Sequence, residues 1–274
     1  VSVSTDKQAE ISLYDNGKLI ETQAGAAVSF TVKNAVLWNA EKPYLYELVF
    51  SCCGETVKRK FGFVSYSVGE NGEFLVNGVS VKLKGVNHHD THPKNGWCLT
   101  EDDIRLDLEQ MKKLNINTIR TSHYPPHPRF LDICDEMGFY VMLETDIETH
   151  GFTSRISGAG YDCINNPDWI GNQEEWKEAY VERMERAYNR DKNHPSIFSW
   201  STGNESGHCE NHYEMIKYLR RTDTKRLIHC EDASRMGLGW GDQVPEYYNR
   251  PDLYSRMYPD IKFMEEYAND DTHP

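Results

Sequence analysis

Long hydrophobic runs, oxidised-cysteine motifs and positive charge are all scarce in this sequence, and each absence removes a class of function. No apolar stretch reaches the ~18 residues that a membrane-spanning helix needs. The opening VSVSTDKQAE has neither the basic nor the apolar segment of a signal peptide and starts at once with strand-like alternation, as expected for a cut inside a longer protein. Lys and Arg number 30 against 43 Asp and Glu, a net charge of −13. Such a surface repels phosphate backbones and anionic lipid, which sets aside nucleic acid and membranes as partners and leaves a neutral or cationic small ligand. The 7 cysteines include no CxxC, and the one close pair, Cys52 and Cys53, is adjacent in sequence and awkward to bridge. They read as reduced thiols of a cytoplasmic protein. What is present is core-forming material: 38% hydrophobic residues, with 6 Trp and 16 Tyr, rule out a disordered chain. The length of 274 residues suits one large domain or a small one followed by a large one.

Two regimes divide the chain. Residues 1–67 are all strand and turn: EISLYDNGKLIETQ alternates apolar and polar residues around Asn16 and Gly17, a tight-hairpin pair, and AAVSFTV and YLYELVFSC follow at short spacing. Short strands without crossover helices point to a small antiparallel sandwich of immunoglobulin type. From residue 68 to 274, after a second hairpin at Asn77 and Gly78, strands and helices alternate. TEDDIRLDLEQMKKLN opens with a Thr100/Asp103 capping box and repeats Ile104, Leu108 and Met111 at helical spacing. PRFLDICDEMG is a short helix closed by Gly138, and WKEAYVERMERAYNRD puts Trp176, Tyr180, Met184 and Ala187 on one stripe. Strands centred near Val81, Thr118, Val141, Phe198, Ile228 and Tyr254 make about six βα units, where a closed (β/α)8 barrel needs eight. The fold class is therefore α/β: an incomplete (β/α)8 TIM barrel preceded by a small all-β sandwich.

In such barrels the working groups sit at the C-terminal ends of the strands. Here every strand end is polar: GVNHHD, RTSHYP, LETDIETH, STGNESGH, HCED and SRMYP. A single histidine in such a place is commonly a structural hydrogen-bonding group; six polar ends in succession point to a site. Glu148 and His150, two apart at a strand end, project the same way and together offer oxygen and imidazole to one cation, Mg²⁺ or Mn²⁺ rather than structural zinc; a salt bridge is the plainer reading. Asn204 and Glu205 follow a nearly continuous apolar strand, where a carboxylic acid loses part of its hydration, as a general acid requires. The tryptophans at 97, 169, 200 and 240 offer sugar-stacking faces, with core packing the alternative for Trp200.

GVNHHDTHP, RTSHYPPHP, IETHGF, RDKNHPSIFSWSTGNESGH and SRMYP resemble the barrel of bacterial β-galactosidases of glycoside hydrolase family 2 over roughly Glu73 to Pro274, and WNAEKPYLYELVF resembles the end of the immunoglobulin-like domain that precedes that barrel. The resemblance implies a retaining glycosidase acting on a terminal β-galactoside such as lactose. It makes Glu205 the acid/base, Glu148, His150 and Glu205 the Mg²⁺ ligands, and His89, His123, Asn204 and Tyr258 sugar-contacting or transition-state-stabilising residues. The family nucleophile is a Glu on the seventh strand, in a motif resembling CEYAHAMGN, and no residue of this chain matches it; Glu231 in HCED belongs to the preceding strand. The expectation is a chain inactive by itself, with an open sheet edge that favours association with another copy. The sister activities β-glucuronidase and β-mannosidase, a noncatalytic carbohydrate-binding or scaffold module, and a metal-dependent hydrolase on the same barrel are the competing readings. The last is disfavoured because VNHHD lacks a His-x-His pair.

Overall fold

A computed structural model describes residues 1–152, 166–233 and 250–269. The N-terminal part is one antiparallel sheet in the order β2-β1-β3-β4, from β1 (Ser2–Asp15), β2 (Lys18–Ser29), β3 (Tyr46–Cys52) and β4 (Glu55–Phe61). Asn16 and Gly17 join β1 to β2 with φ of 46° and 77°, the left-handed pair that a two-residue hairpin requires. One face of the sheet buries Ile11, Leu13, Val28, Phe30, Tyr46 and Leu48.

A small three-stranded sheet follows, β5 (Tyr66–Val68), β6 (Phe74–Val76) and β7 (Val79–Ser80), with the second hairpin at Asn77 and Gly78 as expected. Its Tyr66 and Phe74 rings pack on Tyr140 and Phe198, within the first two residues of two barrel strands, so this sheet floors the barrel. Trp38 belongs to the same cluster, and its indole N–H donates to the Asp135 carbonyl at 2.9 Å. The N-terminal part is thereby fastened to the end opposite the strand tips.

The barrel portion is a five-stranded parallel sheet in the order β12-β11-β10-β9-β8. Its elements run β8 (Gly85–His88), α1 (Glu101–Lys113), β9 (Thr118–Thr121), α2 (Pro128–Met137), β10 (Tyr140–Glu144), α3 (Lys177–Asp191), β11 (Ile197–Ser201), α4 (Glu210–Thr222), β12 (Leu227–His229) and α5 (Ile261–Ala268). The α1 capping box is formed: Thr100 accepts from the Asp103 N–H, and Asp103 accepts from the Thr100 N–H. Pro128 opens α2, and Gly138 ends it at φ 79°, where an added Cβ would lie 2.3 Å from the Ala40 carbonyl oxygen. The helices and sheet enclose Ile104, Leu108, Phe130, Val141, Met184, Trp200 and Ile216, all fully buried.

Three expectations need correcting. The first barrel strand is Gly85–His88, because Val79 and Ser80 are drawn into the floor hairpin and Val81 lies outside both strands. Tyr254 is not in a strand; its ring stacks on Tyr267 of α5 at 4.6 Å. Trp176 stands in a 3-10 turn just before α3 and is 43% exposed, whereas Tyr180, Met184 and Ala187 are buried as the stripe requires. Among the described residues the parallel sheet is open, with β8 and β12 at its edges.

Candidate active site

The register of the parallel strands builds the centre of the site. Glu144, the last residue of β10, lies beside Ser201, the last of β11, and Ser201 lies beside His229, the last of β12. Three polar strand ends therefore form one row at the C-terminal face. All three are buried, so each must find partners within the protein. Arg120 Nε donates to Glu144 Oε2 at 2.6 Å, and Ser201 Oγ donates to the same oxygen at 2.6 Å. His123 Nδ1 meets Glu144 Oε1 at 2.6 Å, and His229 Nδ1 meets Ser201 Oγ at 2.8 Å. Burial alone would push the Glu144 carboxyl up, but the His123 bond, the Arg120 charge and the Ser201 bond together outweigh it and hold the group below its usual range. Burial, with Arg120 adding, pushes His229 down to about 4. A neutral His229 with its proton on Nδ1 donates to Ser201, which donates to Glu144; the relay is satisfied in one direction.

Arg120 links this row to the next loop. Its Nη2 donates to Asn204 Oδ1 at 3.1 Å, and Asn204 Nδ2 donates to Glu148 Oε2 at 3.3 Å, so both ends of the Asn204 amide are held. The Asn204 N–H donates to the Ile147 carbonyl at 2.8 Å, in a parallel bridge between Glu148 and Asn204. Gly203, at φ 136°, makes that approach feasible, since a Cβ there would sit 2.5 Å from the Ile147 oxygen. Glu205 itself is left-handed at φ 40°, and its N–H donates to Glu231 Oε2 at 2.9 Å. Behind it, the Ser206 carbonyl accepts from Thr149 and from the Trp169 indole, and Ser206 Oγ meets His212 Nε2 at 3.0 Å. The Cys209 N–H donates to His212 Nδ1, which places the His212 proton on Nε2; burial, followed by the charge of His208, pushes His212 down to about 3. The loop that presents Glu205 is thus fixed by the Glu231 carboxylate in front and by a neutral His212 behind.

His89 stands at the rim. Its ring meets His123 edge-on at 5.4 Å and its Nδ1 meets the Tyr124 hydroxyl at 3.3 Å. Burial first, then His123 and His88, lower its basicity. Of the residues expected at the site, the structure gathers His89, His123, Glu148, Asn204 and Glu205. Tyr258 is set apart: it is 90% exposed at φ 49°, with no hydrogen bond or ring contact to the others among the described residues. The expected shared strand for Glu148 and His150 is not formed either, because β10 ends at Glu144 and His150 opens a 3-10 turn.

The proposed cation ligands are brought near one another without converging. His150 Nε2 lies 3.6 Å from Glu205 Oε2, while Glu148 is engaged by Asn204. Their oxygen and imidazole donors suit a hard divalent cation, but among the described residues no three His, Cys, Asp or Glu side chains are arranged to hold an ion. As placed, the set does not fit a bound metal. Of the tryptophans, Trp169 and Trp200 are buried and bonded through their indole nitrogens, Trp97 is 79% exposed, and Trp240 falls outside the described residues.

Reading the sequence for strand-end motifs did not bring out Arg120, Ser201 or His229. Arg120 carried the clearest signal, as the one charge inside the apolar strand NTIRTS. A half-buried arginine there calls for a carboxylate on a neighbouring strand.

A partial parallel barrel whose strand tips hold carboxylates, imidazoles and an arginine in one connected network is the architecture of a TIM-barrel enzyme. The comparisons define the class: residues 68–274 match the model for glycosyl hydrolases family 2, TIM barrel domain, and residues 2–63 match the model for glycosyl hydrolases family 2. The chain belongs to glycosyl hydrolases family 2. It is 44% identical over 197 residues to a β-galactosidase of Arthrobacter sp. (strain B7), covering 71% of this chain and 18% of that protein. It is 38% identical over 265 residues to the β-galactosidase of Staphylococcus xylosus, covering 95% of this chain and 26% of that protein. The chain thus spans about a quarter or less of these relatives' length. Among solved structures, an uncultured Clostridium sp. β-glucuronidase superposes with a TM-score of 0.70 at 26% identity, covering 82% of this chain and 38% of that one. A β-D-glucuronidase of Dictyoglomus thermophilum gives 0.69 at 25%, covering 81% and 39%.

Proposed function

We propose that this chain carries the acid/base half of a retaining β-galactosidase site, with Glu205 as the proton donor. The observation that supports it best is the fixed presentation of Asn204 and Glu205 at the strand tips, held by Arg120, Glu148 and Glu231. Glu205 protonates the departing glycosidic oxygen and later takes a proton from the attacking water. The first step needs a second carboxylate roughly 5 Å away to form the glycosyl-enzyme. Glu231, the nearby candidate, already accepts the Glu205 N–H, and no residue present matches the family nucleophile; the 274 residues alone are therefore expected to be inactive. His89, His123 and Asn204 contact the sugar, and Tyr258 reaches it only if its segment folds over the tips.

The β-galactosidases that are 38–44% identical to this chain favour the galactoside reading, while the structural likeness to β-glucuronidases keeps that activity as the second reading. The domain division at residue 67/68, the immunoglobulin-like character of the first domain, the cytoplasmic location and self-association belong to the same proposal. The free cysteines support the reducing location, and no described helix is long and apolar enough to cross a membrane. For Mg²⁺ at Glu148, His150 and Glu205, donor chemistry speaks in favour and donor spacing against. Titration calorimetry decides: equal heats for the unmodified chain and Glu148→Gln would remove Mg²⁺ from the proposal.

The activity test uses an aryl β-galactoside and an aryl β-glucuronide on the chain alone and on the chain fused to the part of the Staphylococcus xylosus relative that follows the matched region. Galactoside turnover is expected only in the fusion, and Glu205→Gln should lower it by about 10²–10⁴-fold. Turnover by the 274 residues alone, abolished by Glu205→Gln, would overturn the proposal and direct attention to Glu144, Asp146 and Glu231 as a second carboxylate.

A further inference from the structure

The β3–β4 hairpin, far in the fold from the strand tips, carries a chemistry that glycoside hydrolysis does not use. Among the described residues, three two-residue turns place both central residues in the left-handed region. Two of them are Asn-Gly: Asn16 and Gly17 at φ 46° and 77°, Asn77 and Gly78 at 53° and 79°. The third is Cys53 and Gly54, at 55° and 84°, between Cys52 and its register partner Glu55. Asparagine is favoured at the first position because its short polar side chain tolerates positive φ, and cysteine has no such compensation. A residue held in an unfavoured backbone region is a pointer to function when a second observation accompanies it.

That second observation is the sulfur geometry. Side chains of consecutive strand residues point to opposite faces, yet the turn swings Cys53 so that its Sγ lies 3.2 Å from Cys52 Sγ. Both cysteines are free, Cys53 is exposed and Cys52 is half-buried. The hydrogen bond between the two sulfurs, aided by burial, raises the Cys52 thiol.

We propose that Cys52 and Cys53 form a surface dithiol site that chelates a trivalent arsenical through both sulfurs. The reaction is a condensation: an organic arsenoxide, R–As=O, loses its oxygen as water, the two protons of that water come from the two S–H groups, and two S–As bonds form. Arsenic stays trivalent and no oxidant is consumed. The narrow sulfur separation suits two bonds to one pyramidal atom and is too short for a linear S–metal–S bridge. The site is independent of the glycosidase reading.

The test uses the reduced 274-residue chain and phenylarsine oxide, followed by intact mass, with challenge by excess mercaptoethanol and by a dithiol. One phenylarsine per chain is expected, retained against the monothiol and removed by the dithiol. Cys52→Ser and Cys53→Asn should each weaken retention about 100-fold or more, since losing one sulfur removes the chelate advantage. Cys53→Asn restores the residue that this chain uses in its other two such turns, so it tests the sulfur without endangering the hairpin. Cys98→Ser, at an exposed lone thiol, should change nothing. Monothiol-resistant adduct in Cys53→Asn, or an adduct on the unmodified chain that mercaptoethanol strips, would overturn the proposal.

Discussion

The two halves of this chain bury different things. In the antiparallel N-terminal sheet the buried residues are Ala9, Ile11, Leu13, Val28, Phe30, Tyr46 and Leu48, and no charged or histidine side chain lies among them. The parallel sheet buries Glu144, Ser201, His229, Glu231 and Asp232 at or just beyond the tips of its strands, above a core as apolar as that of the first sheet. The antiparallel sheet needs only alternation and turns to be stable. The barrel carries a polar layer that hydrophobic burial would never select, and that layer persists because each member is bonded to the next. All 11 histidines follow residue 87, so imidazole chemistry is confined to one half.

The largest effect that would sharpen this contrast comes from Glu144→Ala. It removes the buried carboxylate to which both the Arg120 guanidinium and the Ser201 hydroxyl donate, and should cost about 3–5 kcal/mol by urea unfolding. Leu13→Ala in the first sheet leaves only a cavity, at about 2–5 kcal/mol. The two should differ in their pH response even where the magnitudes coincide, and a loss under 1 kcal/mol for Glu144→Ala would break the comparison.

Acid should separate the halves next. His212 and His229, pushed down to about 3 and about 4 in the folded chain, bind a proton readily only once unfolded. Their contribution is complete above the ordinary imidazole range near 6.5 and is lost as pH falls toward 4, by about 2 kcal/mol for each between pH 6.5 and 5. His194 works the other way. Burial pulls it down, but the bond to Asp135 outweighs that and raises it, so it adds stability below its ordinary range and offsets part of the loss. Hydrogen exchange corrected for intrinsic rates should show β11 and β12 amides opening at pH 5 while β1 and β3 hold. Equal opening in both sheets would show that the buried histidines do not govern acid stability.

The smallest effect tests the turns. Cys53→Asn should stabilise the first sheet by about 0.5–1 kcal/mol, because asparagine fits positive φ better. A loss of stability would mean that the Cys52–Cys53 contact outweighs the backbone preference.

Much of this is legible in the sequence. The Asn-Gly hairpins, the Thr100/Asp103 box, the Gly138 cap and the α/β alternation follow from local rules of short range, and all are formed. Errors arose where a segment had two partners to choose between. Val79 and Ser80 read equally well as a barrel strand, and the floor hairpin took them; Trp176 fits the stripe of α3, yet the helix starts one residue later.

The two regimes, the polar character of the strand tips and the family to which the motifs belong each depend on residue type at fixed spacing, so they can be read from residue order. Which tips act together depends on the packed fold. Strand register set Glu144, Ser201 and His229 side by side, and the reach of Arg120 tied them to Asn204 across 84 residues of chain. It also left Tyr258 apart and Glu148 turned toward Asn204 instead of toward a common ion site. The physical reason is that register and side-chain reach are properties of packed neighbours from distant parts of the chain, and no window of consecutive residues contains them.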